Sequence, residues 1–183
     1  MIWTIGHSTH PIDEFIAMLQ AYQIQQLVDI RTIPRSRHNP QFNRDALPAS
    51  LRTAALGYHH MAGLGGLRRP RPDSVNTDWR NSSFRGYADY MQTSEFQINL
   101  DQLIEIGASA RTVIMCAEAV QWRCHRSLVA DALFVRGIPV DHIQSPGRVQ
   151  RHKLTSFAHQ DGTQIIYGAQ RQLHGSDPGK PLT

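Results

Sequence analysis

Lysine is almost missing from this chain: Lys153 and Lys180 are the only two in 183 residues, so 17 of the 19 cations are arginine. Planar guanidinium groups suit bidentate recognition of phosphate or carboxylate, although an arginine-favouring codon composition gives the same bias. Cysteine is nearly as scarce. Two residues, Cys116 and Cys124, are too few for a secreted disulfide framework. No apolar run approaches the roughly 18 residues that a bilayer span requires. The opening Met-Ile-Trp-Thr-Ile-Gly-His has no basic start before an apolar stretch, so it reads as a first strand and not as a secretory leader. These shortages point to a cytoplasmic protein without a membrane partner.

What is present is ordinary for a globular protein. Hydrophobic residues make up 40% and charged residues 19%. The length fits one domain with a substantial core. A formal charge of +4 does not by itself make a nucleic-acid binder.

Apolar patterning predicts an α/β fold. Ile2 to Ile5 reads as a strand, Pro11 opens a helix whose face is Phe15, Ile16, Leu19 and Tyr22, and Gln26 to Ile30 reads as a second strand. Strand, helix and strand within about 30 residues make a βαβ unit and a parallel sheet. A helix follows over 47–56, a strand over 58–61, a long helix over 84–107, strands over 112–115 and 138–143, and between those two a helix over 126–136 ended by Gly137. Asp161-Gly162 marks a hairpin between 154–157 and 164–167. The expectation is a single domain over 1–171: a mainly parallel sheet of about five strands flanked by helices, with a C-terminal β-hairpin. Residues 172–183, polar with Gly and Pro, are expected to form a flexible tail.

In a parallel α/β sheet, ligands bind beyond the carboxyl ends of the strands. Those ends carry His7 and Ser8, Arg31, His60, Cys116 and Glu118, and His142. Cys124 opens the helix after Cys116, beside Arg123, His125 and Arg126. A helix N-terminus and neighbouring cations lower a thiol pKa and favour the thiolate. The plain alternative is that both cysteines are buried packing residues and the arginines form structural ion pairs. Each histidine has a comparable alternative as a hydrogen-bonded, partly buried side chain. Six residues separate Cys116 from Arg123, one more than in a phosphatase loop, and seven separate the cysteines, unlike paired zinc or thioredoxin-type motifs. A metal held by Cys116, Cys124 and a histidine stays open, but no cofactor is predicted.

The loop after the second strand holds Arg35, Arg37, His38 and Arg44 interleaved with Asn39, Gln41, Phe42 and Asn43. Such a loop can grip phosphate oxygens and stack a base, or simply be a solvated basic surface. Gly63 to Asn81 is a long Gly-, Pro- and Arg-rich stretch without period. Asn76, Trp79, Arg80 and Asn81 are candidates for a lid, with Trp79 alternatively anchoring the loop to the core.

Five motifs in order, Thr4-Ile-Gly-His-Ser8, Val28-Asp-Ile-Arg31, Pro34-Arg-Ser36, Leu64-Gly-Gly66 and Cys116-Ala-Glu118 with Cys124-His-Arg126, resemble the domain-of-unknown-function 488 family. The branch with Arg85-Gly-Tyr-Ala-Asp-Tyr-Met91 and Trp122-Arg-Cys-His-Arg126 is the most similar. The resemblance implies an α/β fold and a shared site at His7, Ser8, Arg31, Cys116, Glu118, Cys124, His125 and Arg126. It supplies no activity, beyond labels on some members that connect them to DNA repair.

The expected catalytic set is Cys116, Glu118, Cys124 and His7. The expected substrate-binding set is Ser8, Arg31, Arg35, Arg37, His60, Arg123, His125 and Arg126. The leading expectation is a small thiol-dependent hydrolase or transferase for an anionic, phosphate-bearing substrate: a nucleotide, nucleobase or nucleic acid. One alternative is a non-catalytic nucleic-acid-binding accessory protein, whose affinity falls steeply with salt. Another is a metal or redox module using both cysteines. The oligomeric state is not encoded in any motif.

Overall fold

The computed structural model describes residues 1–168, so the expected tail over 172–183 lies outside the described residues. The central sheet has six strands in the order β3-β2-β4-β1-β5-β6. They are β1 (Ile2–Gly6), β2 (Gln26–Asp29), β3 (Gly57–His60), β4 (Thr112–Cys116), β5 (Val140–Ser145) and β6 (Arg148–Arg151). The first five are parallel and β6 runs antiparallel to β5. Every residue of β1 and β4 is buried, as expected of strands covered on both faces. The edge strand β6 is exposed throughout, and its Arg148 and Arg151 discourage pairing with another chain.

Helices cover the two faces unequally. On one face α1 (Ile12–Ala21) and α2 (Leu47–Thr53) bury Phe15, Met18, Leu19, Leu47 and Leu51 against Leu27, Val113 and Met115. On the other, α3 (Ser82–Tyr90), α4 (Ser94–Ser109) and α5 (Arg126–Phe134) pack around Tyr87, Phe96, Leu100, Leu128 and Leu133. The chain leaves β1 towards the first face and β4 towards the second. Because β1 and β4 are adjacent, their carboxyl ends splay the following segments apart and open a crevice between them. This is the topological switch point at which α/β sheets bind ligands.

Besides shifts of two or three residues at element ends, three features differ from the sequence expectation. The long helix over 84–107 is two helices: Thr93 is extended and its side chain caps α4 by accepting from the Phe96 amide at 3.3 Å. The apolar stripe continues across the break, since Tyr87, Tyr90, Met91, Phe96, Leu100 and Leu103 are all buried, so periodicity alone could not mark it. The sheet gains β6, whose Arg-Val-Gln-Arg carries no apolar pattern. The C-terminal hairpin forms from β7 (His159–Asp161) and β8 (Gln164–Ile166), turning at Gly162 with φ of 58°. Its first arm therefore lies beyond the apolar 154–157 segment. Gly137 ends α5 as expected, in a left-handed conformation with the Ile138 amide donating to the Leu133 carbonyl at 3.1 Å. Among the described residues, no helix is long and apolar enough to cross a membrane.

A buried polar chain ties the last segments to the sheet. Asp131 of α5 accepts from the Tyr167 hydroxyl at 2.8 Å, the Thr155 hydroxyl at 2.7 Å, the Thr155 amide at 3.0 Å and His152 Nε2 at 2.9 Å. His152 Nδ1 lies 3.0 Å from His142 Nε2, and His142 Nδ1 lies 2.8 Å from the Thr4 hydroxyl. Removing the Asp131 carboxylate strands several buried donors at once. Asp131→Ala is expected to lower the unfolding free energy by about 3 kcal/mol or more. Urea denaturation would show this as a lower midpoint with little change in slope.

Candidate functional site

A cavity of about 680 Å³ opens at the switch point, within the size range of small-molecule sites. His7 to Thr9 line it from β1, Arg31 to Ile33 with Arg35 and Ser36 from β2, and Cys116 to Ala119 with Arg123 to His125 from β4 and the start of α5. Gly66, Leu67, Ser83 and Phe84 close the far wall.

The ladder between β1 and β4 continues into the site, with the His7 amide donating to the Cys116 carbonyl at 2.9 Å and the Ser8 amide to the Ala117 carbonyl at 3.0 Å. Gly6 is required by close approach. A Cβ at this position would sit 1.9 Å from the Glu118 carbonyl oxygen and 2.8 Å from Arg126 Nη1. Ser8 then holds φ of 45°, the left-handed region that a non-glycine residue occupies at a cost.

The two cysteines meet on the cavity floor. Their Sγ atoms lie 2.6 Å apart, both buried and both unoxidised. Behind them lies Arg126, only 1% exposed. Its Nη2 donates to the Ala119 carbonyl at 2.9 Å, while Nε and Nη1 are buried without a partner among the described residues. An uncompensated buried cation is costly, and its charge acts on the whole site. Burial pushes the Cys116 thiol up, but the hydrogen bond with Cys124 and the Arg126 charge outweigh that and lower it. Cys124 is driven the opposite way, chiefly by its bond to Cys116 and then by burial. When the pair loses a proton, it therefore leaves Cys116 first and the remaining one stays on Cys124.

Neutral histidines surround this pair. His125 Nε2 lies 3.3 Å from the Ile30 carbonyl, to which it donates, leaving Nδ1 as an acceptor 3.6 Å from Cys124 Sγ. Burial lowers His125 to about 4. Gly66 abuts the His125 ring, where a Cβ would come within 2.4 Å of Nδ1. His7 is also lowered to about 4 by burial. Its Nδ1 lies 2.9 Å from the Ser8 carbonyl and its Nε2 3.1 Å from Arg31 Nη1. The ring stacks on Phe42 at 4.3 Å.

Arg31 is committed differently from Arg126. Nε and Nη2 grip Asp29 at 2.8 and 2.6 Å, and Nη2 also donates to the Phe42 carbonyl at 2.7 Å. Tyr58 donates to the same carboxylate at 3.0 Å. Its charge is therefore largely compensated, and it orients His7. Arg35, Arg123 and Glu118 are exposed and line the cavity, and neither arginine is ion-paired among the described residues.

The predicted set thus converges for His7, Ser8, Arg31, Arg35, Cys116, Glu118, Arg123, Cys124 and His125, with Arg126 directly behind. Arg37 is exposed and outside the lining. His60 points away: its Nε2 lies 2.9 Å from the Arg31 carbonyl, and it lines a separate depression beside α4. The physical reason is register, since Asp29 pairs with His60 and the chain turns away after it. Phe42 packs on His7 instead of remaining free to stack a base. Asn76 and Trp79 anchor their loop to the core. Asn76 donates to Asp89 at 2.8 Å, and Trp79 packs on Phe84, Phe157 and Tyr167. Asp29 was visible as a charge inside an apolar strand, the one available signal for the carboxylate that fixes Arg31. Among the described residues, no three His, Cys, Asp or Glu side chains converge as a metal ion would need.

The chain matches the family described as Domain of unknown function DUF488 over residues 11–133. It belongs to that family. The DUF488 match runs from the start of α1 nearly to the end of α5 and so contains both cysteines, Arg31 and Arg126, while His7, Ser8 and the strands from β5 onward lie outside it. No curated protein and no solved structure matches the chain.

Three buried histidines give this DUF488 protein a defined acid response. His7 and His125 are lowered to about 4 and His142 to about 3, each mainly by burial. The unfolded chain binds these protons near pH 6.5 while the folded chain does not. Stability is therefore complete above about pH 6.5 and declines as the pH falls towards the folded values, by up to about 1.4 kcal/mol per pH unit for each fully responding histidine. Thermal midpoints are expected to drop progressively between pH 7 and 4.5. A flat profile across that interval would contradict the neutral assignment.

Proposed function

We propose that this chain is a small thiol-dependent enzyme for an anionic, phosphate-bearing substrate such as a nucleotide, with Cys116 as its nucleophile. The observation that carries this reading is the Cys116 thiol at the floor of an open cavity, backed by a buried guanidinium that has no carboxylate among the described residues. A thiolate is the natural counter-ion for Arg126, and a thiolate is the reactive form of cysteine. Cys124 donates to it, and His125 Nδ1 stands beside Cys124 Sγ as an acceptor that orients it. At the mouth, Arg35 and Arg123 supply the charge that holds the anion. Arg31, already gripped by Asp29, fixes His7 and the wall. Ile33, Leu67 and Phe84 provide an apolar side for the uncharged part of the ligand. Glu118 at the rim is an exposed carboxylate suited to exchanging a proton with the bound substrate.

Alkylation by iodoacetamide, followed against pH, tests the nucleophile. Cys116 is expected to react with an apparent pKa below the free-thiol value of about 8.5, and Cys116→Ser removes that reaction. Arg126→Met is expected to raise the apparent pKa by about one unit or more, slowing alkylation at pH 7 roughly ten-fold. An added nucleoside monophosphate should protect wild-type Cys116, and protect Arg123→Ala less. A Cys116 that reacts no faster than a free cysteine would remove the basis for this function.

A further inference from the structure

The two sulfurs stand closer to each other than any single nucleophile requires. We propose that Cys116 and Cys124 form a dithiol centre that reduces small peroxides, with Cys116 as the attacking sulfur and Cys124 as the resolving one. The inference rests on Cys116 being the nucleophile and adds an activity that a one-thiol mechanism does not have. Three features point the same way. The Sγ atoms are 2.6 Å apart, so little motion separates them from a disulfide bond of about 2.05 Å. They are chemically unequal, because Arg126 and the shared proton favour the thiolate on Cys116 and keep the proton on Cys124. The second sulfur has an oriented acceptor beside it, since His125 Nδ1 lies 3.6 Å from Cys124 Sγ and its Nε2 is turned to the Ile30 carbonyl.

The reaction balances as two steps. The Cys116 thiolate attacks the terminal oxygen of a hydroperoxide, the O–O bond breaks, and the departing alkoxide takes a proton from solvent to become an alcohol. Cys116 is left as a sulfenic acid. Cys124 Sγ then attacks Cys116 Sγ. The S–O bond breaks, and the departing hydroxide takes the Cys124 proton to leave as water. Two thiols lose two electrons to the peroxide, and a dithiol reductant returns the disulfide to its starting state. Both cysteines line the cavity and are nearly buried, which favours small hydroperoxides. While the disulfide stands, Cys116 cannot act on any other substrate.

Treating the full chain with a small molar excess of hydrogen peroxide tests this. The expected result is loss of two hydrogens by intact mass, disappearance of both free thiols, and recovery on adding dithiothreitol. Trypsin cuts after Arg111, Arg123 and Arg126, so the disulfide should appear as the 112–123 peptide joined to the tripeptide Cys124-His125-Arg126. Cys124→Ser should stop at a sulfenic acid on Cys116 that dimedone traps, whereas Cys116→Ser should leave Cys124 reduced. Wild-type protein that gives a sulfinic acid on Cys116 with Cys124 still free, or that keeps both thiols, overturns the proposal. Iodoacetamide separates the two failures. Rapid alkylation of Cys116 at neutral pH without disulfide formation removes only the dithiol activity, whereas an inert Cys116 removes the nucleophile as well.

Discussion

A guanidinium in a protein interior normally arrives with its carboxylate. Arg31 obeys that rule, held at both ends by Asp29. Arg126 does not: among the described residues, two of its three nitrogens are buried without a partner, and its acceptor is the Ala119 carbonyl. The rest of the site is organised around this unbalanced charge. It opposes protonation of His7, His125 and His142, which burial already makes unfavourable. It also favours negative charge on the neighbouring sulfurs. Neutral imidazoles and a thiolate are the protonation states that let such a cation remain buried.

The fold makes this arrangement possible through the β1–β4 neighbourhood. Gly6 lets the Cys-Ala-Glu loop pass over the end of β1 and leaves room for the Arg126 side chain beneath it. Any side chain at Gly6 would meet backbone on the Glu118 side, which cannot swing away as a flexible side chain can. The same contact fixes Cys116 at the last position of β4 and brings Cys124, eight residues later, back against it. Ser8 adopts its left-handed conformation at the next turn of the chain, where β1 must leave the sheet for α1. Strain, close approach and charge are therefore concentrated in one crevice.

Much of this was legible in the sequence, and the parts that were not have identifiable causes. The parallel sheet followed from apolar runs separated by amphipathic helices, and the site followed from reading which polar residues stand at strand ends. Strand-end reading brought Cys116 and Arg31 to one cavity because β1, β2 and β4 are adjacent and in register. It failed for His60, since β3 is the outer strand and its end lies away from the switch point. Arg37 was grouped with Arg35 by proximity along a loop, but only Arg35 faces the cavity. The break at Thr93 was hidden by an apolar stripe that runs through it. A module using both cysteines was one alternative, but whether the two sulfurs face each other could not be read: seven intervening residues have no fixed span, and the short 3₁₀ turn over Gln121–Arg123 brings the ends together.

The contrast between the arginines also explains why a charge count says little about this protein. Of the arginines at the cavity, Arg31 is neutralised, and Arg35 and Arg123 present their charge to the opening, while Arg126 is buried behind the sulfurs. A surface that attracted nucleic acid through bulk charge would need its cations outward and unspent. Here the two deepest cations are committed to fixing protonation states and side-chain positions. The cavity is graded by depth: Arg35 and Arg123 are exposed at its lining, and the two sulfurs are buried. The arginine bias of the chain is therefore most informative where an arginine has no acid beside it, because only there does its charge remain available to do chemistry.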